Sequence, residues 1–295
     1  MLLKNKNIVI TGSGRGIGKS IALDCAKEGA NVGLTARTVK ELNSVRDQIE
    51  SLNLAVKVSV HEGDITDFDK VKNIFKSFYE DLGPINGVVA NAGWRDSQPS
   101  LEYDLNTFHR ILDVNIMGVY YSFRASFPYL KMDDKKDKAR FIVTGSAHFL
   151  RTAPLYLPYT IAKYGVVGLI SSLSEEFKRD NITFNMVLPQ RIDTFLTRGE
   201  NAGDENKPPG FLYPSEITDY YIFLLSEMAN KYNFQLFNTF DFETLKKIIR
   251  ESSLEKKKDV NTFLEELELK NETLHRNCKK FSLFIEFLLN RNQLL

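Results

Sequence analysis

Along the first 240 residues, short β-branched runs alternate with longer segments whose apolar residues recur at helical spacing. The runs are NIVIT (7–11), NVGLTA (31–36), VKVSV (56–60), INGVVA (85–90), RFIVTG (140–145) and ITFNMVL (182–188). Segments 16–29, 39–52, 67–82, 104–130 and 157–179 separate them, and a further helical segment, 215–230, follows an irregular stretch. Short apolar runs of this kind read as strands covered on both faces, and the longer amphipathic segments as helices. Six strand–helix units in succession predict an α/β fold, a doubly wound parallel sheet with helices on both sides. A last run, FQLFNTF (234–240), predicts a seventh strand that closes the sheet.

Three segments break the rhythm. KMDDKKDKAR (131–140) reads as a charged, solvated turn before the fifth strand. Residues 193–214 are polar and rich in Gly and Pro, without periodicity; their place just after the sixth strand favours a lid. Beyond residue 242 the pattern is wholly helical. Val260, Leu264, Leu267, Asn271, Leu274, Cys278, Phe281, Ile285 and Leu288 recur at alternating spacings of four and three, as in a heptad seam. Phe263, Phe284 and Phe287 widen that stripe, so a helix packed on its own body and a subunit contact both fit. The expected organisation is a catalytic domain over 1–242 and a helical extension over 243–295.

Composition narrows the function classes. A formal net charge of +1, with acids and bases interspersed, advertises no nucleic-acid or membrane partner. Two distant cysteines, Cys25 and Cys278, make no disulfide framework and point to a reducing, cytoplasmic setting. No segment reaches the ~20 apolar residues of a membrane helix. The histidines share no ligand spacing with one another or with the cysteines, so no metal site is expected.

TGSGRGIGKS (11–20) lies between the first strand and the first helix, where glycines permit positive φ and backbone N–H groups approach an anion. It is not a phosphate-binding P-loop, because Ser13 stands where that motif needs its first Gly. What fits is T-G-x-x-x-G-x-G, with Thr11, Gly12, Gly16 and Gly18. This turn resembles that of the short-chain dehydrogenase/reductase superfamily, and further family marks follow in order: GDIT (63–66), VANAG (89–93), DVNIMG with Asn115, IVTGS with Ser146, Y-x-x-x-K at Tyr159 and Lys163, and LPQRIDT (188–194). The resemblance covers residues 1 to about 240 and departs at Ala90 and Gln190, where the family has Asn and Gly, and at DFETL after the last strand.

The resemblance implies a Rossmann-like fold and a nicotinamide cofactor held by Thr11, Gly12, Ser13, Arg15, Gly16, Ile17, Gly18, Arg37, Asp64, Ile65, Asn91, Ala92, Gly93, Tyr159, Lys163, Pro189, Ile192 and Thr194. An acidic residue at the end of the second strand usually holds a free ribose hydroxyl. Ala36 occupies that slot, with Arg37 next and Arg15 in the glycine turn, so NADP(H) is expected ahead of NAD(H).

Tyr159 and Lys163 stand four apart on a helix, hence on one face. Carbonyl reduction leaves an alkoxide that needs a proton, and bringing a phenol from pKa ~10 to near neutrality requires about 4 kcal/mol of phenolate stabilisation. An adjacent ammonium favours that shift. By resemblance, Tyr159 is the general acid/base, Lys163 also holds the nicotinamide ribose, Ser146 holds the substrate oxygen, and Asn115 links Lys163 through water to solvent. His148, Phe149 and Trp94 are further candidates for the substrate pocket, and Phe195, Leu196, Phe211, Leu212 and Tyr213 hint at a bulky apolar carbonyl or alcohol substrate. A homo-oligomer, dimer or tetramer, is expected. A nucleotide-loaded module that presents its C-terminal helix to a partner is the alternative.

Overall fold

Every residue of β1 (Asn7–Thr11) is buried, and the same holds for β4 (Gly87–Ala90) and β6 (Ile182–Leu188). Strands covered on both sides have no solvent face to carry polar residues, which is why their sequences do not alternate. Together with β2 (Asn31–Ala36), β3 (Val58–Glu62), β5 (Ala139–Thr144) and β7 (Gln235–Asn238) they form a seven-stranded sheet in the order β3-β2-β1-β4-β5-β6-β7. Pairing is parallel from β3 through β6, with Val9 beside Gly33 on one side and Val88 on the other. The structure, a computed structural model, describes residues 1–133, 137–147, 152–203, 206–239 and 282–290.

Helices α1 (Gly16–Lys27) and α2 (Val39–Glu50) pack against each other and the sheet, α1 also against α8 (Thr218–Leu225), all eight residues of which are buried. On the other face lie α3 (Phe68–Leu82), α4 (Leu105–Leu112), α5 (Gly118–Ser126) and α6 (Leu157–Glu176). There Phe75 and Phe78 of α3, Phe123 of α5 and Ile170 of α6 join Val9, Phe141 and Phe184 in one core. The short α7 (Phe195–Arg198) sits in the irregular stretch after β6. β1 lies between β2 and β4, so the chain winds outward in both directions from it and leaves a crevice at the C-terminal strand ends, the usual ligand position of such folds.

Three expectations are corrected. The helix expected over 104–130 is α4 and α5 joined by a π-turn at Asp113–Met117, with a 3₁₀ turn at Phe127–Tyr129. β3 lies two residues later than its apolar run, because His61 and Glu62 pair with Thr35 and Ala36 of β2. The charged segment before β5 is not wholly solvated: Arg140 is buried and paired with Asp137, which also takes Lys6.

The chain divides into two compact units, Met1–Phe237 and Asn238–Leu295. The boundary expected after residue 242 and the seam positions from Val260 to Phe281 lie outside the described residues. In the second unit a helix spans Ser282–Asn290 and buries Phe284, Phe287 and Leu288.

Candidate active site

Thr11 ends β1 and Gly16 opens α1, so the connection must turn sharply. Gly12 has φ +64°, and a Cβ there would fall 2.8 Å from Ala92 Cα. A Cβ on Gly18 would fall 2.3 Å from the Gly12 carbonyl oxygen, so α1 is drawn tight beneath the turn. The Thr11 hydroxyl accepts from the Asn91 and Ala92 N–H groups, both at 3.0 Å, and Asn91 Nδ2 donates to the carbonyls of Thr11 (3.0 Å) and Gly12 (3.2 Å). Thr144, at the end of β5, donates its hydroxyl to Asn91 Oδ1 at 3.1 Å and accepts from the Tyr221 phenol at 2.9 Å. Three strand ends and α8 are thereby fixed around the crevice.

Above them opens a cavity of about 530 Å³. Most of the sequence-predicted residues line it: Thr11, Gly12, Arg15, Gly16, Ile17, Arg37, Asp64, Ile65, Asn91, Ala92, Gly93, Ser146, Tyr159, Lys163, Pro189, Ile192 and Thr194. Three do not. Ser13 is fully buried and turned onto β2, its N–H and hydroxyl both directed at the Thr35 carbonyl. Gly18 packs under the turn. Asn115 is fully buried in the π-turn, its amide donating to Ile111 O (2.8 Å) and Trp94 O (2.6 Å) while its Oδ1 has no partner among the described residues. His148 and Phe149 lie outside the described residues.

Helix α6 carries Pro158 in its first turn, which helical geometry accepts, and so holds Tyr159 at the mouth of its N-terminus. Tyr159, Lys163 and Ser146 are all buried, and Ser146 hydrogen-bonds the Tyr159 phenol. Lys163 Nζ lies 5.3 Å from the Tyr159 ring centroid and donates to the Thr144 carbonyl at 3.2 Å. Burial alone pulls the Lys163 pKa down to about 8. Burial pushes the Tyr159 phenol up, opposed by the Ser146 hydroxyl and the nearby Arg95. In the protein by itself, then, the phenol sits above its ordinary range. The pull toward phenolate comes from the Ser146 hydroxyl first and then from Arg95, a group with no signal in the sequence.

At the opposite end of the cavity lie Ala36, which ends β2, and Arg37 and Thr38, which follow it. Arg15 reaches across to Glu41 in the first turn of α2, at 3.6 Å, and lies 4.0 Å over the Phe195 ring. For Asp64, burial works against ionisation, but two bonds from Thr66 and the charges of Arg37 and Arg110 hold its carboxyl below the usual range.

The irregular stretch is built, not loose, in its described part. Asp193, its side chain fully buried, pairs with Arg198 at 3.0 Å and accepts from Gly203 N–H at 3.1 Å. Thr194 and Thr197 cap α7 reciprocally, and Ile192 bridges to Leu212. Phe195 and Leu196 line the cavity, and Arg95 ties this stretch down through Nε to Leu196 O at 3.0 Å. Phe211 and Leu212 are half-buried and Tyr213 exposed, none lining the cavity; Trp94 and Gln190 do line it. Thr144, Arg95 and Glu41 were missed from sequence. Only Thr144, two residues before Ser146 in IVTGS, carried a local signal. Among the described residues no cluster of three or more His, Cys, Asp or Glu could hold a metal ion. Among them, too, no helix is long and apolar enough to cross a membrane.

The family model for short chain dehydrogenase matches residues 6–205. A glucose 1-dehydrogenase of Gluconobacter oxydans is 31% identical over 189 residues, which are 64% of this chain and 70% of that protein. Among solved structures, a short-chain type dehydrogenase/reductase from Mycobacterium marinum superposes with a TM-score of 0.71 at 29% identity, covering 80% of this chain and 94% of that one. An alcohol dehydrogenase from the archaeon Thermococcus sibiricus, complexed with 5-hydroxy-NADP, does so with a TM-score of 0.71 at 27% identity, covering 79% and 95%.

Proposed function

This chain belongs to the short-chain dehydrogenase/reductase superfamily, and on that premise we propose that it is an NADPH-preferring oxidoreductase that interconverts a carbonyl and a secondary alcohol. The observation that carries the reading is one constellation: a buried phenol hydrogen-bonded to Ser146, a buried ammonium one turn along, and both opening onto a cavity floored by a glycine-rich turn. The cofactor fits that cradle, since Gly12 and Gly18 stand where side chains would collide with backbone and Gly16 and Ile17 present the N-terminus of α1 to the cavity.

Thr11, Gly12, Arg15, Gly16, Ile17 and Asn91 to Gly93 would hold the cofactor's phosphates and ribose, with Pro189, Ile192 and Thr194 beside the nicotinamide. When bound, the nicotinamide group supplies or accepts the hydride and, when oxidised, adds a positive charge. Ser146 orients the substrate oxygen. Tyr159 passes its phenolic proton to that oxygen as negative charge develops there, and takes it back in the reverse direction. The Lys163 ammonium stabilises the phenolate left behind and would hold the nicotinamide ribose. Asn115, with its orphan Oδ1, belongs to the proton path behind Lys163. Arg37 and Arg15, with no acid at Ala36, support the preference for a 2′-phosphate. The apolar rim of Phe195 and Leu196 supports a bulky apolar substrate. The buried Cys25, its thiol pushed up by burial, fits a reducing cytoplasm, and a homo-oligomer remains the expected assembly.

The test is NADPH oxidation across aliphatic, aromatic and acyl-thioester ketones. Tyr159→Phe should lower turnover about 10²- to 10⁴-fold while NADPH still binds. Turnover retained in that variant contradicts the assignment.

A further inference from the structure

Resting on the NADPH reading above, one contact at the far end of the cavity bears on how strongly the chain tells the two nicotinamide cofactors apart. They differ there by a phosphate monoester of about −1.5 to −2 charge. Arg15 and Arg37 are the cations lining that end, and Arg15 is already engaged by the Glu41 carboxylate at 3.6 Å. Glu41 is pressed against the glycine turn itself: its Cβ and Oε2 lie 2.9 Å from the position a Cβ on Gly14 would take. Its place in the first turn of α2 suits a carboxylate, because the helix N-terminus carries partial positive charge. The other acid there, Asp64, is turned onto Thr66 and lies near Arg37 and Arg110. Glu41 is therefore the carboxylate positioned to meet an incoming phosphate.

We propose that Glu41 is a specificity-determining residue: held on Arg15, its carboxylate competes with the cofactor's 2′-phosphate for the guanidinium and moderates the chain's preference for NADPH over NADH. A free 2′-hydroxyl makes no such demand on Arg15. Both partners are substantially exposed, at 53% and 36% of their side-chain surface, so the competition is screened by solvent and is modest.

The single tryptophan, Trp94, lines the same cavity, and energy transfer from it to a bound reduced nicotinamide reports affinity in the full chain without turnover. Dissociation constants for NADPH and NADH are compared in the wild type, Glu41→Gln, Arg15→Gln and the double variant, at low and high salt. Glu41→Gln should tighten NADPH binding about three- to fivefold and leave NADH within about twofold. The gain should vanish when Arg15 is also replaced and shrink as salt rises. A NADPH-to-NADH ratio unchanged by Glu41→Gln, or the same gain without Arg15, overturns the proposal while leaving the oxidoreductase reading intact. A wild-type chain that binds neither dinucleotide overturns both.

Discussion

Two cations are sunk at opposite ends of β5, and their surroundings differ in kind. Arg140, near the strand's start, is 1% exposed. It pairs with Asp137 at 3.2 Å and donates to Asn230 Oδ1 at 2.6 Å and to the Ser226 carbonyl at 3.1 Å. Burial pulls its pKa down, opposed by Asp137 and Glu227, to about 10. Lys163, beside the strand's other end, donates to the Thr144 carbonyl, and among the described residues no carboxylate lies within ion-pairing distance of it. Nothing opposes its burial, and its pKa falls to about 8. A compensated buried charge is part of the architecture. An uncompensated one, beside a phenol and a cavity, is held against stability and marks where chemistry is done.

The comparison can be broken most forcefully at Arg140. Arg140→Met strands Asp137 with only Lys6 and should cost about 3–5 kcal/mol in urea unfolding. A loss under ~1 kcal/mol would mean that the network carries little.

Lys163→Met should move stability the other way, gaining about 2 kcal/mol at pH 7 while turnover disappears. The gain has a definite pH dependence. Lys163 has a folded pKa of about 8, below its ordinary 10.5, so between these values the unfolded chain binds more protons than the native one. Its penalty is therefore full below pH ~8 and fades as pH rises toward ~10.5, so the stability gap between wild type and Lys163→Met should close over that window. A gap that is flat with pH would assign the effect to packing rather than charge. The smallest expected effect is at the hydroxyl between the two regions: Thr144→Val removes the bonds to Asn91 and Tyr221 and should cost about 1 kcal/mol by urea unfolding.

How much of this was legible in the chain depends on whether the determining contacts are local. β1 and β6 coincide with their apolar runs, because total burial leaves no ambiguity of face, and so does β2, whose four central residues are buried. The π-turn at Asp113–Met117 was hidden, since one inserted residue hardly disturbs helical periodicity over 104–130. Tyr159 and Lys163 were readable because their relation is a spacing within one helix. Arg15 and Glu41 meet from the glycine turn and from α2, while Arg95 comes near Tyr159 from the loop after β4, and no window of sequence contains either meeting. The same reason hid the burial of Arg140: Asp137 is near it, but Asn230 is 90 residues away, and Lys6 reaches Asp137 across 131. A run of charges reads as solvated until its distant partners are known.

The contrast between the two cations rests on the state of one ammonium, and that state can be measured directly. In the cofactor-free chain labelled with ¹³C-lysine, with the Lys163 resonance assigned by its absence from Lys163→Met, an NMR titration should place its midpoint near pH 8. A midpoint at the ordinary value of 10.5 would contradict the account, because it would mean that Lys163 is solvated or paired like any surface lysine.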